Sequence, residues 1–268
     1  MAACRDEVSA PLMLPCRRAG AGEALILVHG FLGGSSQWDA EIESLRHHFD
    51  VIAPDLAGYG DASHLAAPAD IAVHARHVLS MLDRLGIDRF HLLGHSMGGM
   101  VAQEIVHQAP SRVKRLVLYA TAALGSIPGR FETMARSRER LVEEGAEHFA
   151  RRVSATWLLD REASPAFEPL AALAVRASAQ AARAGLLAME GWDGRDRLAA
   201  IGQRTLIVWG EHDRTYAWPL IQALWQTIPQ ASLAVLPGCA HALHLERTAL
   251  FHTLLLEFLR PGAPTAKA

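Results

Sequence analysis

Residues 90–99, FHLLGHSMGG, pass from an apolar segment of strand length into a glycine-rich turn, and a helix-forming segment follows. The turn has the pattern G-x-S-x-G, with Gly94 and Gly98 on either side of Ser96. Glycine suits these positions because the turn is tight, its central residue takes strained backbone angles, and larger side chains would collide. Such a turn places the Ser96 hydroxyl at a helix N-terminus, where backbone N–H groups favour developing negative charge. Ser96 is therefore a candidate nucleophile, and the competing interpretation is a plain helix N-cap.

Apolar segments of strand length recur along the rest of the chain. They are residues 24–28, 50–53, 115–119, 205–209 and 232–236. Each is nearly continuous in hydrophobicity instead of alternating, and helix-like stretches such as 70–85, 97–109 and 248–259 lie between or after them. This pattern predicts an α/β fold, in which helices cover both faces of a doubly wound, mostly parallel sheet.

The pattern changes between residues 125 and 198, where charged, alanine-rich helical segments are not interrupted by a strand signal. These segments are 131–144, 147–158 and 167–190. An insertion of this length exceeds a usual crossover, so we expect a separate helical layer over the strand ends. The sequence thus predicts a core of residues 1–124 and 199–268 and a helical lid of residues 125–198, with a frayed tail from residue 261.

Four motifs, in this order along the chain, resemble those of the α/β-hydrolase superfamily. They are HGFLGG at 29–34, DLAGYG at 55–60, GHSMGG at 94–99, and GEHD at 210–213 followed by a late His241. The resemblance implies that Ser96 is the nucleophile, Asp213 the acid and His241 the base, in the family's order of serine, acid and histidine.

The residues support this assignment by their own chemistry. A serine hydroxyl is a weak nucleophile until an imidazole removes its proton, and a carboxylate must fix the tautomer of that imidazole. Asp213 follows the strand predicted at 205–209, and His241 follows the strand predicted at 232–236. Both should therefore lie in loops at the same sheet edge as Ser96.

Other residues compete for these roles. His244 would serve as the base if the loop register differed, whereas His95 flanks the turn and is expected to point away from Ser96. Glu211 is interpreted as a solvated or loop-capping acid. The end of the fourth parallel strand, residues 119–122, contains no carboxylate and so offers no second position for the acid.

The resemblance also implies an oxyanion hole formed by the backbone N–H groups of Phe31 and Met97. Gly33 and Gly34 are interpreted as part of a tight loop, because the Lys-Ser/Thr pair of a phosphate-binding loop is absent. Trp38 is interpreted as a core residue.

Specificity should come from the lid, because one fold hosts many chemistries. The candidate apolar walls are Trp157, Met189 and Trp192. The candidate carboxylate-binding residues are Arg152, Arg176 and Arg183, and the competing and favoured interpretation of each is a solvated helix residue.

The lid length, the GHSMGG turn and the stretch CAHA at 239–242 are similar to small bacterial catabolic hydrolases. These include 3-oxoadipate enol-lactonases and hydrolases that cut carbon–carbon bonds in ring-cleavage products. The latter usually carry a tryptophan after the catalytic histidine, where this chain has Ala242, so we favour ester or lactone hydrolysis.

Two hypotheses of a different kind compete with a serine hydrolase. One is a ligand receptor built on the same fold. The intact set of serine, acid and histidine argues against it. The second is a metal enzyme, but His74 and His77, which share a predicted helix, lack a third ligand. The sequence therefore favours an enzyme that uses no metal.

Composition bounds the partners and the compartment. The chain has 268 residues, 50% of them apolar, with 26 Lys and Arg against 28 Asp and Glu. A net charge of −2 does not favour nucleic acid or an anionic membrane, so a small-molecule substrate without a cofactor is expected. Cys4, Cys16 and Cys239 suggest neither a disulfide framework nor a metal site, and no signal-peptide or membrane-spanning run is evident. These features favour a cytoplasmic protein, and they leave open whether it forms a homo-oligomer.

Overall fold

The computed structural model describes residues 13–127 and 130–260, so Cys4 and the tail at 261–268 lie outside the described residues. Its sheet has seven strands in the order β1-β3-β2-β4-β5-β6-β7. The strands are β1 Cys16–Ala19, β2 Ala24–Val28, β3 Asp50–Pro54, β4 Phe90–His95, β5 Val113–Tyr119, β6 Arg204–Gly210 and β7 Ala231–Leu236. Neighbouring strands from β3 to β7 pair in parallel, and β1 pairs antiparallel with β3. The predicted doubly wound, mostly parallel sheet is confirmed, including all six predicted strands.

The edge strand β1 is an addition to the prediction. Its sequence, CRRA, is too polar for the interior of a parallel sheet. It is tolerated because β1 lies at the edge, where the Arg18 guanidinium donates to the Asp50 carboxylate at 2.6 Å.

Helices cover both faces of this sheet. They are α1 Asp39–Leu45, α2 Ile71–Arg84, α3 Met97–Gln108, α4 Met134–Ala155, α5 Phe167–Ala174, α6 Ala179–Glu190, α7 Trp218–Thr227, α8 Leu243–Glu246 and α9 Thr248–Leu259. The helices predicted at 70–85, 97–109 and 248–259 correspond to α2, α3 and α9. None of the helices within 13–127 and 130–260 combines the length and apolar character that a bilayer span requires.

Strand β2 shows how the two faces are filled. Leu25 and Leu27 pack into a core with residues of α1 and α9. Ile26 and Val28 pack into a larger core with residues of α2, α3 and the inserted helices. All four side chains are buried, because successive residues of a strand point to opposite faces. This explains why the strands are continuously apolar.

Helices α4, α5 and α6 lie between β5 and β6, in the segment for which the sequence predicts a lid. The entry and exit of this segment pair with each other: the Gly125 N–H donates to the Trp192 carbonyl at 3.1 Å, and the Gly194 N–H donates to the Ala123 carbonyl at 2.8 Å. Helix α4 spans the segments predicted at 131–144 and 147–158, with a break at Gly145, where φ is 78°. The segment predicted at 167–190 is two helices, α5 and α6.

Two buried histidines make the folding stability depend on pH. Burial lowers the pKa of His74 to about 3 and that of His244 to about 3. In the unfolded chain both groups titrate at pH ~6.5, so below that pH the unfolded chain binds protons that the folded chain does not. The free energy of unfolding should therefore be highest above about pH 7 and should decrease as the pH falls from about 6.5 towards 3. At pH 5 the decrease should reach ~2 kcal/mol per histidine.

Urea unfolding at a series of pH values measures this dependence. His74→Leu should remove the contribution of one histidine to the decrease in unfolding free energy between pH 6.5 and 5. His148→Leu, which changes an exposed histidine, should leave the slope intact. A wild-type profile that is flat over this range would contradict the prediction.

Candidate active site

Ser96 lies between β4 and α3 in a strained conformation, with φ 55° and ψ −120°. The two flanking glycines make this turn sterically feasible. A Cβ on Gly94 would lie 2.2 Å from the Gly98 carbonyl oxygen, and a Cβ on Gly98 would lie 2.4 Å from the His29 and Val28 carbonyl oxygens. The G-x-S-x-G pattern is therefore explained by close backbone contacts within the turn and between α3 and the end of β2.

Hydrogen bonds from the neighbouring strand fix the backbone of Ser96. Its N–H donates to the Tyr119 carbonyl at 2.9 Å, and its carbonyl accepts from the Thr121 hydroxyl at 2.7 Å. The same carbonyl accepts from the Gly99 N–H at 2.8 Å, in the first turn of α3. These contacts hold the strained residue in place, as expected for a functional position.

Asp213 and His241 form a buried pair in the loops that follow β6 and β7. The Asp213 Oδ2 atom lies 2.9 Å from the His241 Nδ1 atom. The other carboxylate oxygen, Oδ1, accepts from the N–H groups of Thr215 at 2.7 Å and Tyr216 at 3.2 Å. The carboxylate is thereby fixed in orientation and favours the tautomer with a proton on Nδ1 of His241. The Nε2 atom is then left as the basic atom.

The loop that carries His241 rests on a cluster of buried aromatic side chains. The Tyr119 hydroxyl donates to the His241 carbonyl at 3.0 Å, and the His95 Nε2 atom lies 3.3 Å from the same oxygen. The His95 ring stacks on Tyr119 with 4.4 Å between ring centroids, whereas His244 lies 2.8 Å from the Tyr119 hydroxyl through Nδ1. His95 and His244 are therefore placed to support the loop, and neither contacts the Asp213 carboxylate.

The electrostatics of this cluster keep it neutral. Burial, and next the proximity of His241 and His244, hold the pKa of His95 well below its usual range. Burial is also the main cause of the lowered pKa of His244. Of the clustered imidazoles, His241 is the one paired with a carboxylate, which can stabilise a positive charge.

The HGFLGG segment lies across Ser96 from the histidine loop. The His29 Nε2 atom accepts the Leu56 N–H at 2.9 Å, and its Nδ1 atom lies 2.8 Å from the Gly30 carbonyl oxygen. A Cβ on Gly30 would lie 3.1 Å from the Ser96 Cβ, so this loop passes directly beside the turn. Burial lowers the pKa of His29, which fits a neutral ring that donates at one nitrogen and accepts at the other.

Two small cavities open beside Ser96. The histidine-side cavity, of about 10 Å³, is lined by residues that include Ser96, Gln37, Leu170 and His241. The lid-side cavity, of about 20 Å³, is lined by Phe31, Ser96, Ile127, Arg130, Met134, Val153, Trp157, Met189, Thr215 and Tyr216. Each has room for about one water molecule.

The structure brings some of the predicted substrate-binding residues to these cavities and leaves others elsewhere. Trp157 lines both cavities and Met189 lines the lid-side cavity. Trp192 lines a separate cavity on the far side of α3, beside Gln103 and Glu104.

None of the three predicted arginines lines either cavity. Arg152 pairs with Glu144 at 2.8 Å, and Arg176 pairs with Asp61 at 2.6 Å. Arg183 is exposed on α6. Ion pairing and exposure thus account for all three side chains.

Sequence reasoning missed three polar residues of the lid-side cavity, namely Arg130, Thr215 and Tyr216. Thr215 and Tyr216 closely follow Asp213 in the sequence, so the position of Asp213 at the site could have predicted that they lie near it. Arg130 lies in the connection between β5 and α4, where no motif marks it. Among the residues that the structure describes, no group of three His, Cys, Asp or Glu side chains is arranged to hold a metal ion.

A serine on a strained strand–helix turn, with a carboxylate–imidazole pair at adjacent strand ends, defines the class of α/β-fold hydrolases. A family model described as "alpha/beta hydrolase fold" matches residues 23–248. The chain therefore belongs to the alpha/beta hydrolase fold family.

Relatives with curated names differ in the reactions those names state. The chain is 28% identical over 257 residues to "Putative carbamate hydrolase RutD" of Agrobacterium fabrum, covering 92% of this chain and 97% of the relative. It is also 28% identical over 264 residues to "2-hydroxy-6-oxo-6-phenylhexa-2,4-dienoate hydrolase" of Burkholderia cepacia, covering 91% and 90%. These names support an enzyme of the hydrolase class.

Solved structures match over nearly the whole chain. A thermophilic esterase from Thermogutta terrifontis, with malate bound, has a TM-score of 0.85 and 27% identity, with 94% of each chain covered. The enol-lactonase from Burkholderia xenovorans LB400 has a TM-score of 0.84 and 23% identity, with 92% of this chain and 96% of that chain covered. The predicted resemblance to enol-lactonases and ring-cleavage hydrolases is confirmed.

The close approach at Gly98 predicts a large effect of a single methyl group. Gly98→Ala should destabilise the fold by about 2–3 kcal/mol, because the added Cβ would collide with two backbone oxygens that cannot rotate away. Gly202→Ala is the matched control, since a Cβ there meets nothing within 4 Å. Urea unfolding of the two variants gives the comparison. Equal stability would show that α3 can shift away from β2 without cost.

Proposed function

We propose that this protein is a serine hydrolase that cleaves a carboxylic ester or lactone of a small organic acid. The main supporting observation is the buried 2.9 Å contact between Asp213 and His241, with His241 lining the same cavity as Ser96. In this proposal Asp213 orients His241, and His241 acts as general base towards Ser96.

The reaction proceeds through an acyl-enzyme. The Nε2 atom of His241 takes the proton of the Ser96 hydroxyl as Oγ attacks the carbonyl carbon of the substrate. The carbonyl oxygen becomes an oxyanion, which accepts hydrogen bonds from the N–H groups of Phe31 and Met97. His241 then returns its proton to the leaving oxygen. A water molecule, deprotonated by His241, then attacks the acyl carbon, and His241 passes this proton to Oγ of Ser96 as the bond between Oγ and the acyl carbon breaks and the acid is released.

Several features support the oxyanion assignment. A Cβ on Gly30 would lie 3.1 Å from the Ser96 Cβ, so the absence of a side chain at Gly30 leaves space beside the nucleophile. Phe31 lines both cavities beside Ser96, and Met97 begins α3. Their N–H groups act through the backbone, and the α3 dipole adds to the favourable potential.

Carbon–carbon bond hydrolysis is the second candidate, favoured by the full-length relative from Burkholderia cepacia. Ala242 follows His241 in this chain and is buried, so the position offers no aromatic face to a conjugated substrate. Ester hydrolysis is favoured by the esterase with 27% identity over 94% of the chain. A panel of 4-nitrophenyl esters, lactones and ring-cleavage dienoates separates the two candidates by relative kcat/KM.

Loss of the proposed nucleophile should remove turnover without unfolding the chain. Ser96→Ala and His241→Ala should each lower kcat by about a million-fold, and Asp213→Asn by about ten-thousand-fold. The Ser96→Ala/His241→Ala double variant should be no slower than either single variant, because the residues act as one unit. A fluorophosphonate should label wild-type Ser96, as read by peptide mass spectrometry. Labelling of another residue would contradict the assignment.

Truncation of Trp157 should change substrate preference while leaving the nucleophile intact. Its ring centroid lies 6.1 Å from that of His241, and its side chain lines both cavities. We expect Trp157→Ala to raise KM about tenfold for the preferred ester and to reorder the substrate panel, while a small fluorophosphonate still labels Ser96. Trp192→Ala is the matched control, because Trp192 is 7% exposed and Trp157 is 8% exposed, but Trp192 lines a different cavity. The same change in both variants would indicate general destabilisation.

A further inference from the structure

Arg130 is a cationic side chain in the lid-side cavity that makes no direct ion pair within the described residues, although the Glu132 carboxylate is linked to it through the Ser137 hydroxyl. Its Nη1 atom donates to the Glu132 carbonyl at 2.8 Å and to the Ser137 hydroxyl at 3.0 Å. Its guanidinium lies over the Phe131 ring at 4.3 Å. Within residues 13–127 and 130–260, no carboxylate oxygen lies within ion-pair distance of Arg130, and its Nε and Nη2 atoms have no hydrogen-bond acceptor.

The arginines of α4 differ from Arg130, since each of them has a carboxylate partner. The neighbouring Glu132 carboxylate is the nearest candidate partner, but it is shared by Arg140 and Arg152 at 3.5 Å each. On α4, Arg138 likewise pairs with Glu190. The side chain of Arg130 is thus held at Nη1 while its remaining N–H groups stay available.

Two further donors face the same cavity. The Thr215 hydroxyl is buried and has no hydrogen-bond partner within the described residues, and Thr215 as a whole is 7% exposed. The Tyr216 phenol is buried beside it, and its ring stacks on His241 with 5.7 Å between centroids. Both residues are fixed by the bonds of their N–H groups to Asp213. A buried hydroxyl without a partner is costly, and a ligand oxygen would satisfy it.

The Tyr216 phenol connects this polar group to the nucleophile. Burial raises the pKa of Tyr216 to about 12, whereas the neighbouring Ser96 side chain and the Arg130 charge act in the opposite direction. Burial lowers the pKa of Arg130, and Tyr216 is among the groups that oppose this change. Tyr216, Ser96 and Arg130 line the same lid-side cavity.

We infer that Arg130 and the Thr215 hydroxyl form a subsite that binds a carboxylate of the substrate, beside the ester carbonyl that Ser96 attacks. This inference rests on the proposed ester hydrolysis and specifies the substrate as an ester or lactone that carries a second, ionised acid group. The free Nε and Nη2 atoms lie on one edge of the guanidinium, which matches the two oxygens of a carboxylate. The Phe131 ring lies against one face of the guanidinium, and the apolar side chains that line the cavity strengthen this pairing.

Paired substrates test the inference. We would compare kcat/KM for mono-4-nitrophenyl glutarate, which is anionic, and for its methyl ester, which is neutral. Arg130→Met should lower kcat/KM for the anionic substrate by about 100-fold and change that for the methyl ester by less than about threefold. Thr215→Val should lower kcat/KM by about tenfold for the anionic substrate only. It should not lower Tm, because the hydroxyl that it removes has no partner among the described residues. Arg176→Met, which changes a surface ion pair, is the matched control and should affect neither substrate.

Binding without turnover provides an independent measurement. Calorimetry on Ser96→Ala should show glutarate binding that Arg130→Met abolishes and that dimethyl glutarate does not reproduce. Equal losses on both substrates, or glutarate binding that survives Arg130→Met, would overturn the carboxylate subsite. Failure of the proposed function is distinct, because the wild type would then hydrolyse neither ester and a fluorophosphonate would not label Ser96.

Discussion

The close approach of α3 to the ends of β2 and β4 is the constraint on which the rest of the site depends. Gly94 and Gly98 permit this approach, and it forces Ser96 into a backbone conformation that would be costly in isolation. The strain persists because Tyr119 and Thr121, at the end of the next strand, fix both backbone groups of Ser96. The hydroxyl therefore emerges at one defined point above the sheet edge.

The histidine side of the site depends on a buried aromatic cluster that remains neutral. Tyr119 supports the carbonyl of His241, while His95 and His244 pack around Tyr119. Burial lowers the pKa of both supporting histidines, so they do not repel the charge that His241 would take up during proton transfer. The cluster thus separates two roles for chemically identical side chains, with one imidazole paired to Asp213 and the others structural.

The segment inserted between β5 and β6 combines surface ion pairs with polar side chains near Ser96. Arg136 and Arg151, whose side chains are partly exposed, pair with Glu143 and Glu168, and such surface pairs contribute little to stability. Contacts between Trp157, Leu158 and Leu159 and the loops after β6 and β7 join this segment to the core: the Trp157 carbonyl accepts from the Ala242 N–H at 2.9 Å, and Arg214 donates to the carbonyls of Leu158 and Leu159. The wall of the site at Trp157 is therefore coupled directly to the histidine loop.

Sequence by itself determined the features that follow from local pattern. Continuous apolar runs predicted the parallel strands, because a strand buried on both faces cannot alternate with polar residues, and the glycine spacing predicted the turn at Ser96. The edge strand β1 escaped prediction because pairing at an edge tolerates its arginines.

Only the tertiary structure decided which polar side chains meet. His241 and His244 are three residues apart in sequence, yet the fold directs one to Asp213 and the other to Tyr119. The sequence singled out Arg152, Arg176 and Arg183, which line neither cavity beside Ser96 in the structure, whereas Arg130, which no motif marks, lines the lid-side cavity together with Ser96. Such differences arise from long-range packing, which residue type and spacing do not encode locally.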